Sequence, residues 1–113
     1  MAGDCIFCKI IAGEIPGRRA YEDDELVVVH DINPQAPLHV LVLPRKHIEK
    51  LTDLTSEDDA LIGRMQRVAA QVVEEAGAGD FRTVFNCGEG AGQSVFHIHL
   101  HVLAGRGLGW PPG

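Results

Sequence analysis

Apolar residues along the chain fall into short runs separated by turn-forming residues, and their period changes from run to run. Ile6, Phe7, Ile10 and Ile11 recur at helical spacing, and Gly13 with Pro16 closes the pattern, which predicts a short helix. Residues 18–22 and 25–31, the second containing Leu26-Val27-Val28-Val29, read as a hairpin turning at Asp23-Asp24. Asn33-Pro34-Gln35-Ala36-Pro37 breaks the chain, and residues 39–43 resume as a strand that Pro44 stops. A long helix is expected to start at Thr55 or Ser56, either able to cap free amides while Asp58 or Asp59 sits three residues on. Its apolar stripe is Leu61, Met65, Val68, Val72 and Ala76, joined by Ile62, Ala69 and Val73, and Gly77 is placed to end it. Residues 81–86 predict a fourth strand, Gly88 to Gly92 a glycine-rich connection, and residues 95–103 a fifth strand. Residues 104–113, ending Trp110-Pro111-Pro112-Gly113, read as an irregular tail. Four or five hairpin-linked strands with one long and one short helix make an α+β meander.

A length of 113 residues predicts a single domain, 1–113. The formal charge of −6 argues against a nucleic-acid partner, whose backbone is gripped mainly by Lys and Arg, but a small phosphorylated ligand needs only local donors. No stretch approaches the roughly 20 apolar residues that span a bilayer, and no leader is recognisable, so the expectation is a cytoplasmic protein with no membrane partner. Of three cysteines, Cys5 and Cys8 form a Cys-x-x-Cys pair that suits a metal or a redox dithiol better than a secreted disulfide framework. Cys87 reads as a small packed residue or a free thiol.

The densest chemistry lies in "SVFHIHLHVLAG", residues 94–105, where His97, His99 and His101 alternate with Phe96, Ile98, Leu100 and Val102. On an extended chain this period places three imidazoles on one face and the apolar residues on the other. His97 and His101 would start roughly 13 Å apart, too far for one small metal ion to take all three rings. Just upstream, Asn86-Cys87-Gly88-Glu89-Gly90-Ala91-Gly92-Gln93-Ser94 offers glycine amides and the side chains of Gln93 and Ser94 as donors. Such a loop can hold an anion or serve as a plain structural turn. It lacks the Gly-Lys-Ser/Thr of a Walker loop.

"QSVFHIHLHVL" resembles the His-x-His-x-His signature of the histidine triad family, and the resemblance runs over nearly the whole chain. "YEDDELVVVHDINPQAPLHVLVLPRKHI", "GQSVFHIHLHVLAGR" and "WPPG" are similar to the Hint branch, the nucleotide-binding purine nucleoside phosphoramidases. The resemblance implies a mainly antiparallel sheet of about five strands in an α+β histidine-triad-like fold, and a homodimer whose two sheets join. It also implies hydrolysis of purine nucleoside 5′-phosphoramidates to the monophosphate. By position, His99 would be the nucleophile, His101 would contact the α-phosphate and Ser94 the phosphate or leaving group. Asp31 and Ile32 would hold the ribose, Asn86, Gly92 and Gln93 the phosphate side, and Phe7, Ile10 and Val29 the base. Asp31 could instead cap the turn before Asn33-Pro34, and Phe7 and Ile10 could be ordinary core.

The Cys-x-x-Cys pair resembles bacterial members of the branch and implies a structural zinc on Cys5, Cys8, His47 and His97, with no metal required for catalysis. A redox dithiol and two unligated cysteines are the alternatives. His30 and His39 are weaker ligand candidates, since each sits in a strand-like apolar run. Other functions compatible with the same residues are a dinucleoside polyphosphate hydrolase, a non-catalytic nucleotide-binding regulator and a metal-dependent hydrolase.

Overall fold

Helix α1 (Ile6–Ile11) opens on Cys5, whose Sγ accepts from the Cys8 amide at 3.4 Å. The cysteine pair thus doubles as the helix cap, a role that its spacing alone does not reveal. The computed structural model describes residues 4–113. After α1 come β1 (Arg19–Glu22), β2 (Leu26–His30) and β3 (Leu38–Pro44), then α2 (Asp59–Ala76), β4 (Phe81–Val84) and β5 (Leu100–Ala104). The sheet order is β1-β2-β3-β5-β4, every pairing antiparallel, as the α+β pattern requires.

The hairpin turns where expected, and its turn is held by Asp23: Oδ1 accepts from the amides of Glu25 and Leu26, each at 2.8 Å. Arg64 of α2 pairs with the same carboxylate and fastens helix to hairpin. Leu26 to Val29 form a continuous buried run because both faces of the sheet are covered. Leu26, Val28, Val40, Val42, Leu100 and Val102 pack under α2, while Val27, Val29, Leu41 and Leu43 pack with Phe7 and Cys5 on the α1 side.

Helix α2 buries Met65, Val68, Ala69, Val72 and Val73, and Gly77 ends it at φ 63°, the left-handed conformation that favours glycine. Thr55 is the cap, in a capping box with Asp58, but it caps a 3₁₀ turn (Ser56–Asp58) from which α2 continues. Ala76, counted in the expected stripe, is exposed.

Two strands are shorter than the pattern predicts. β4 stops at Val84, and β5 begins only at Leu100, because the backbone of residues 95–99 is bonded outside the sheet. The Val95 carbonyl accepts from Gln93 Nε2 at 3.1 Å, the Ile98 amide donates to the Ile48 carbonyl at 2.8 Å, and the His97 carbonyl accepts from a histidine ring. Ala104, assigned to the tail, pairs with Leu38 and Phe81 as the last residue of β5. Phe96 lies 37 % exposed instead of joining the packed face.

Met65 is fully buried between α2 and the sheet, so Met65→Ala is expected to cost about 2–5 kcal/mol in urea unfolding. Ala76→Ser, on the exposed end of the same helix, should change stability by less than about 0.5 kcal/mol.

Candidate functional site

His97, His99 and His101 all lie on the α1 side, although only His101 belongs to a strand. The Phe7 ring makes edge contacts with His97 at 6.0 Å and with His99 at 4.8 Å between centroids, and His99 and His101 are 5.1 Å apart. Beneath the loop, Gln93 is 2 % exposed and its amide is fully committed. Oε1 accepts from the Gly88 amide at 2.8 Å, and Nε2 donates to the carbonyls of Glu49 at 2.7 Å and Val95 at 3.1 Å. The side chain expected to face a phosphate is therefore a brace that shapes the loop. Gly92 follows the 3₁₀ turn (Glu89–Ala91) at φ 99°, which favours glycine.

A cleft of about 380 Å³ gathers the remaining candidates. Asn86, Gly92, Ser94, His99 and His101 line it together with Phe7, Ile10, Val29, Asp31 and Ile32, and His30 and Leu41 are also in the wall. Ile32 stands wholly exposed at the rim. Asp31 Oδ1 accepts from the Asn33 amide at 2.8 Å, which caps the turn, and the residue also lines the cleft. Residues from α1, β2, the connection after β4 and β5 thus converge, which needs the sheet to bring β2 and β5 to either side of β3.

Hydrogen bonds decide which ring nitrogen of each histidine carries the proton. His99 Nδ1 donates to the His97 carbonyl at 2.8 Å, leaving Nε2 as a bare lone pair. The Gln35 amide donates to His39 Nδ1 at 3.0 Å, so the His39 proton sits on Nε2 and is given to His101 Nδ1 at 2.9 Å. His101 then carries its own proton on Nε2. Adjacent rings consequently present opposite chemistry, an acceptor on His99 and a donor on His101. His39, which the sequence pattern marks only as a strand histidine, is the residue that fixes the second tautomer, and Asp31 Oδ2 lies 3.5 Å from its Nε2. Its one sequence signal was alternation in β3, which places it on the α1 face beside Leu41.

Burial holds these rings neutral. His101 is pushed down to about 4 by burial and by its neighbours His99 and His39. His99 and His39 are also lowered, chiefly by burial, against an opposing effect of the His97 carbonyl on the first and Asp31 on the second.

A second cluster lies behind Phe7. Cys5 Sγ is 3.4 Å from His97 Nδ1, Cys8 Sγ is 3.4 Å from His47 Nδ1 and 3.5 Å from His97 Nδ1, and the two Nδ1 atoms are 3.1 Å apart. All four donor atoms fall within 4.8 Å of one another, an arrangement that could hold a metal ion. His97 Nε2 donates to the Pro44 carbonyl at 2.8 Å, which turns Nδ1 as an acceptor toward the thiols. Asp31, His39 and His101 form a further close group within the same limit, but the two rings are already bonded to each other.

His99 just before β5 and His101 within it present complementary tautomers over this sheet, and comparison with known proteins gives the class to which the arrangement belongs. The family model described as "Scavenger mRNA decapping enzyme C-term binding" matches residues 4–108. An uncharacterized HIT-like protein of Synechocystis sp. is 51 % identical over 114 residues, covering 100 % of both chains. Protein HitA of Neisseria gonorrhoeae is 45 % identical over 101 residues, 88 % of this chain and 94 % of that one. The crystal structure of a HIT family hydrolase from Legionella pneumophila Philadelphia 1 superposes with TM-score 0.94 at 43 % identity, over 97 % of this chain and 100 % of that one. A histidine triad protein from Clostridium difficile gives 0.90 at 42 % identity, over 94 % of each. The chain belongs to the histidine triad family.

In the unfolded chain a histidine titrates near 6.5, about 2.5 units above the folded value of about 4 for His101. Between those values the unfolded state binds a proton that the folded state refuses, so stability is lost as pH falls through the window and is complete above it. Thermal unfolding from pH 7.5 to 4.5 should show a falling Tm. His101→Gln, which leaves the cysteine cluster intact, should make the fall shallower, the slope that remains coming from His97, His99 and His39, which burial also lowers.

Proposed function

We propose that this chain hydrolyses purine nucleoside 5′-phosphoramidates through a nucleotidyl-histidine on His99. The observation that carries the reading is the bond from His99 Nδ1 to the His97 carbonyl, which leaves the other nitrogen unprotonated in the cleft. A neutral imidazole is a good nucleophile and a fair leaving group near pH 7. His99 Nε2 attacks the α-phosphorus, the phosphorus–nitrogen bond of the substrate breaks, and the departing nitrogen takes up a proton. Water then attacks the same phosphorus, the bond to His99 breaks, and the monophosphate leaves.

His101 Nε2–H donates to a non-bridging oxygen as charge develops there, and the amides beside Gly92 and the Ser94 hydroxyl supplement it. Asp31 accepts from the ribose hydroxyls, while the base lies against Phe7, Ile10 and Val29. The similarity to the Legionella protein, a HIT family hydrolase, supports hydrolysis as the reaction type. A homodimer formed along β4, an edge strand of the sheet, belongs to the same reading.

Zinc is the metal that best fits the cysteine cluster. For ordinary zinc–sulfur and zinc–nitrogen bonds, a tetrahedron has sulfur–nitrogen edges of about 3.5 Å and nitrogen–nitrogen edges of about 3.3 Å. The observed 3.4, 3.4, 3.5 and 3.1 Å lie close to these. Four protein donors close the coordination sphere, so its role is to hold α1 against the segments that carry His47 after β3 and His97 before β5, and no catalytic step passes through it. No helix among the described residues is long and apolar enough to cross a membrane.

His99→Ala should lower kcat by several orders of magnitude while monophosphate binding is kept, because a nucleophile acts on bond making more than on ground-state contact. Rapid quenching of the wild type with a labelled phosphoramidate should trap an acid-labile, base-stable adduct that maps to His99. Full activity in His99→Ala refutes the mechanism. Elemental analysis should find about one zinc per chain, and Cys5→Ser with Cys8→Ser should remove it and lower Tm, with turnover of the folded fraction within a few-fold of normal. Unchanged Tm and metal content would reject the zinc assignment.

A further inference from the structure

The nucleotide cleft does not end at Ile32. A second cavity of about 520 Å³ adjoins it, lined by Pro16, Gly17, Arg18, His30, Asp31 and Ile32, so that the last three residues border both spaces. The two are arranged along the sheet: His99 and His101 lie at the β5 end, Val29 on β2, and Arg18 immediately before β1 at the outer edge. A monophosphate with its phosphorus at His99 and its base on Phe7, Ile10 and Val29 would present an outer edge of the base to the cavity that Arg18 lines.

Three features make Arg18 a reader of that edge. Gly17 holds the segment hard against the base wall: a Cβ there would come within 2.8 Å of Ile10 Cγ2 and 3.6 Å of Val29 Cγ1. Arg18 itself makes no side-chain hydrogen bond or ion pair among the described residues, whereas Arg19, Arg45 and Arg64 are each committed to carboxylates. The neighbouring His30 is lowered by burial and by the Arg18 charge, so near pH 7 it is neutral and the cation at this end of the cleft is Arg18.

We propose that Arg18 selects guanine over adenine in the base end of the cleft, an inference that rests on the nucleotide reading of the site. A guanidinium offers only donors, in a planar fork that matches two adjacent acceptors. Guanine and hypoxanthine present O6 beside N7, two acceptors in the spacing that arginine binds with both nitrogens. Adenine presents N7 beside the N6 amino group, a donor that faces the cation without a partner. The apolar wall accepts either purine, so discrimination falls to this edge.

Titration calorimetry with GMP, IMP and AMP on the intact protein tests the assignment. GMP and IMP are expected to bind roughly five- to a hundred-fold more tightly than AMP, the range that one bidentate arginine contact supports. Arg18→Gln, on an exposed residue whose loss leaves the core intact, should bring GMP and IMP down to the AMP value and leave AMP unchanged. Arg18→Lys keeps the charge but not the fork, and should retain only part of the preference. Equal binding of the three nucleotides by the wild type overturns the proposal. So does an equal loss for all three in Arg18→Gln, which would mean that the charge acts on the phosphate. Failure of all three monophosphates to bind would instead overturn the nucleotide reading itself, and this assignment with it.

Discussion

His97 is the residue on which the two halves of the site depend. Its ring has no exposed surface, and its two ring nitrogens and its carbonyl have separate tasks. Nε2 donates to the Pro44 carbonyl at the end of β3, Nδ1 faces Cys5, Cys8 and His47, and the backbone carbonyl accepts the proton that fixes His99. A buried imidazole with an unmet nitrogen would be costly, so these partners hold one another in place. Through them, the cysteine cap of α1, the end of β3 and the nucleophile form one rigid unit.

That unit explains why the chain leaves the sheet between Val95 and His99. In place of sheet pairing, the Ile98 amide donates to the Ile48 carbonyl and the His97 carbonyl turns to the His99 ring. The Gln93 amide, buried and fully bonded, replaces the missing pairing by tying residues 88, 95 and 49 together. Regular pairing resumes at Leu100, where Val42 lies opposite, and from there the side-chain alternation carries His101 to the cleft and Leu100 and Val102 to the α2 core.

The two neighbouring histidines owe their opposite roles to different hydrogen-bond partners, an acceptor for His99 and a donor for His101, in different parts of the chain. His99 is set by a carbonyl two residues away, whereas His101 is set by His39 on the adjacent strand, itself set by the Gln35 amide in the turn before β3. Two prolines, Pro34 and Pro37, bracket that amide in the turn. Burial then keeps the rings neutral, so acceptor and donor persist side by side.

Period and punctuation in the sequence determined the five strands, both helices and the antiparallel character, because apolar burial acts on nearest neighbours and leaves a local pattern. They also marked His97, His99 and His101 as sharing a side, Gly77 as the end of α2, and Thr55 or Ser56 as the cap that precedes it. What the chain alone could not express was any contact between distant residues. The early end of β4 and late start of β5, the withdrawal of Gln93 from the cleft, the recruitment of His39, and the meeting of Cys5 and Cys8 with His47 and His97, which the family resemblance implied but no local pattern expressed, all join segments far apart in sequence. Each depends on where a proton or a lone pair finds its partner, and that is fixed only when β3 has come to lie between β2 and β5.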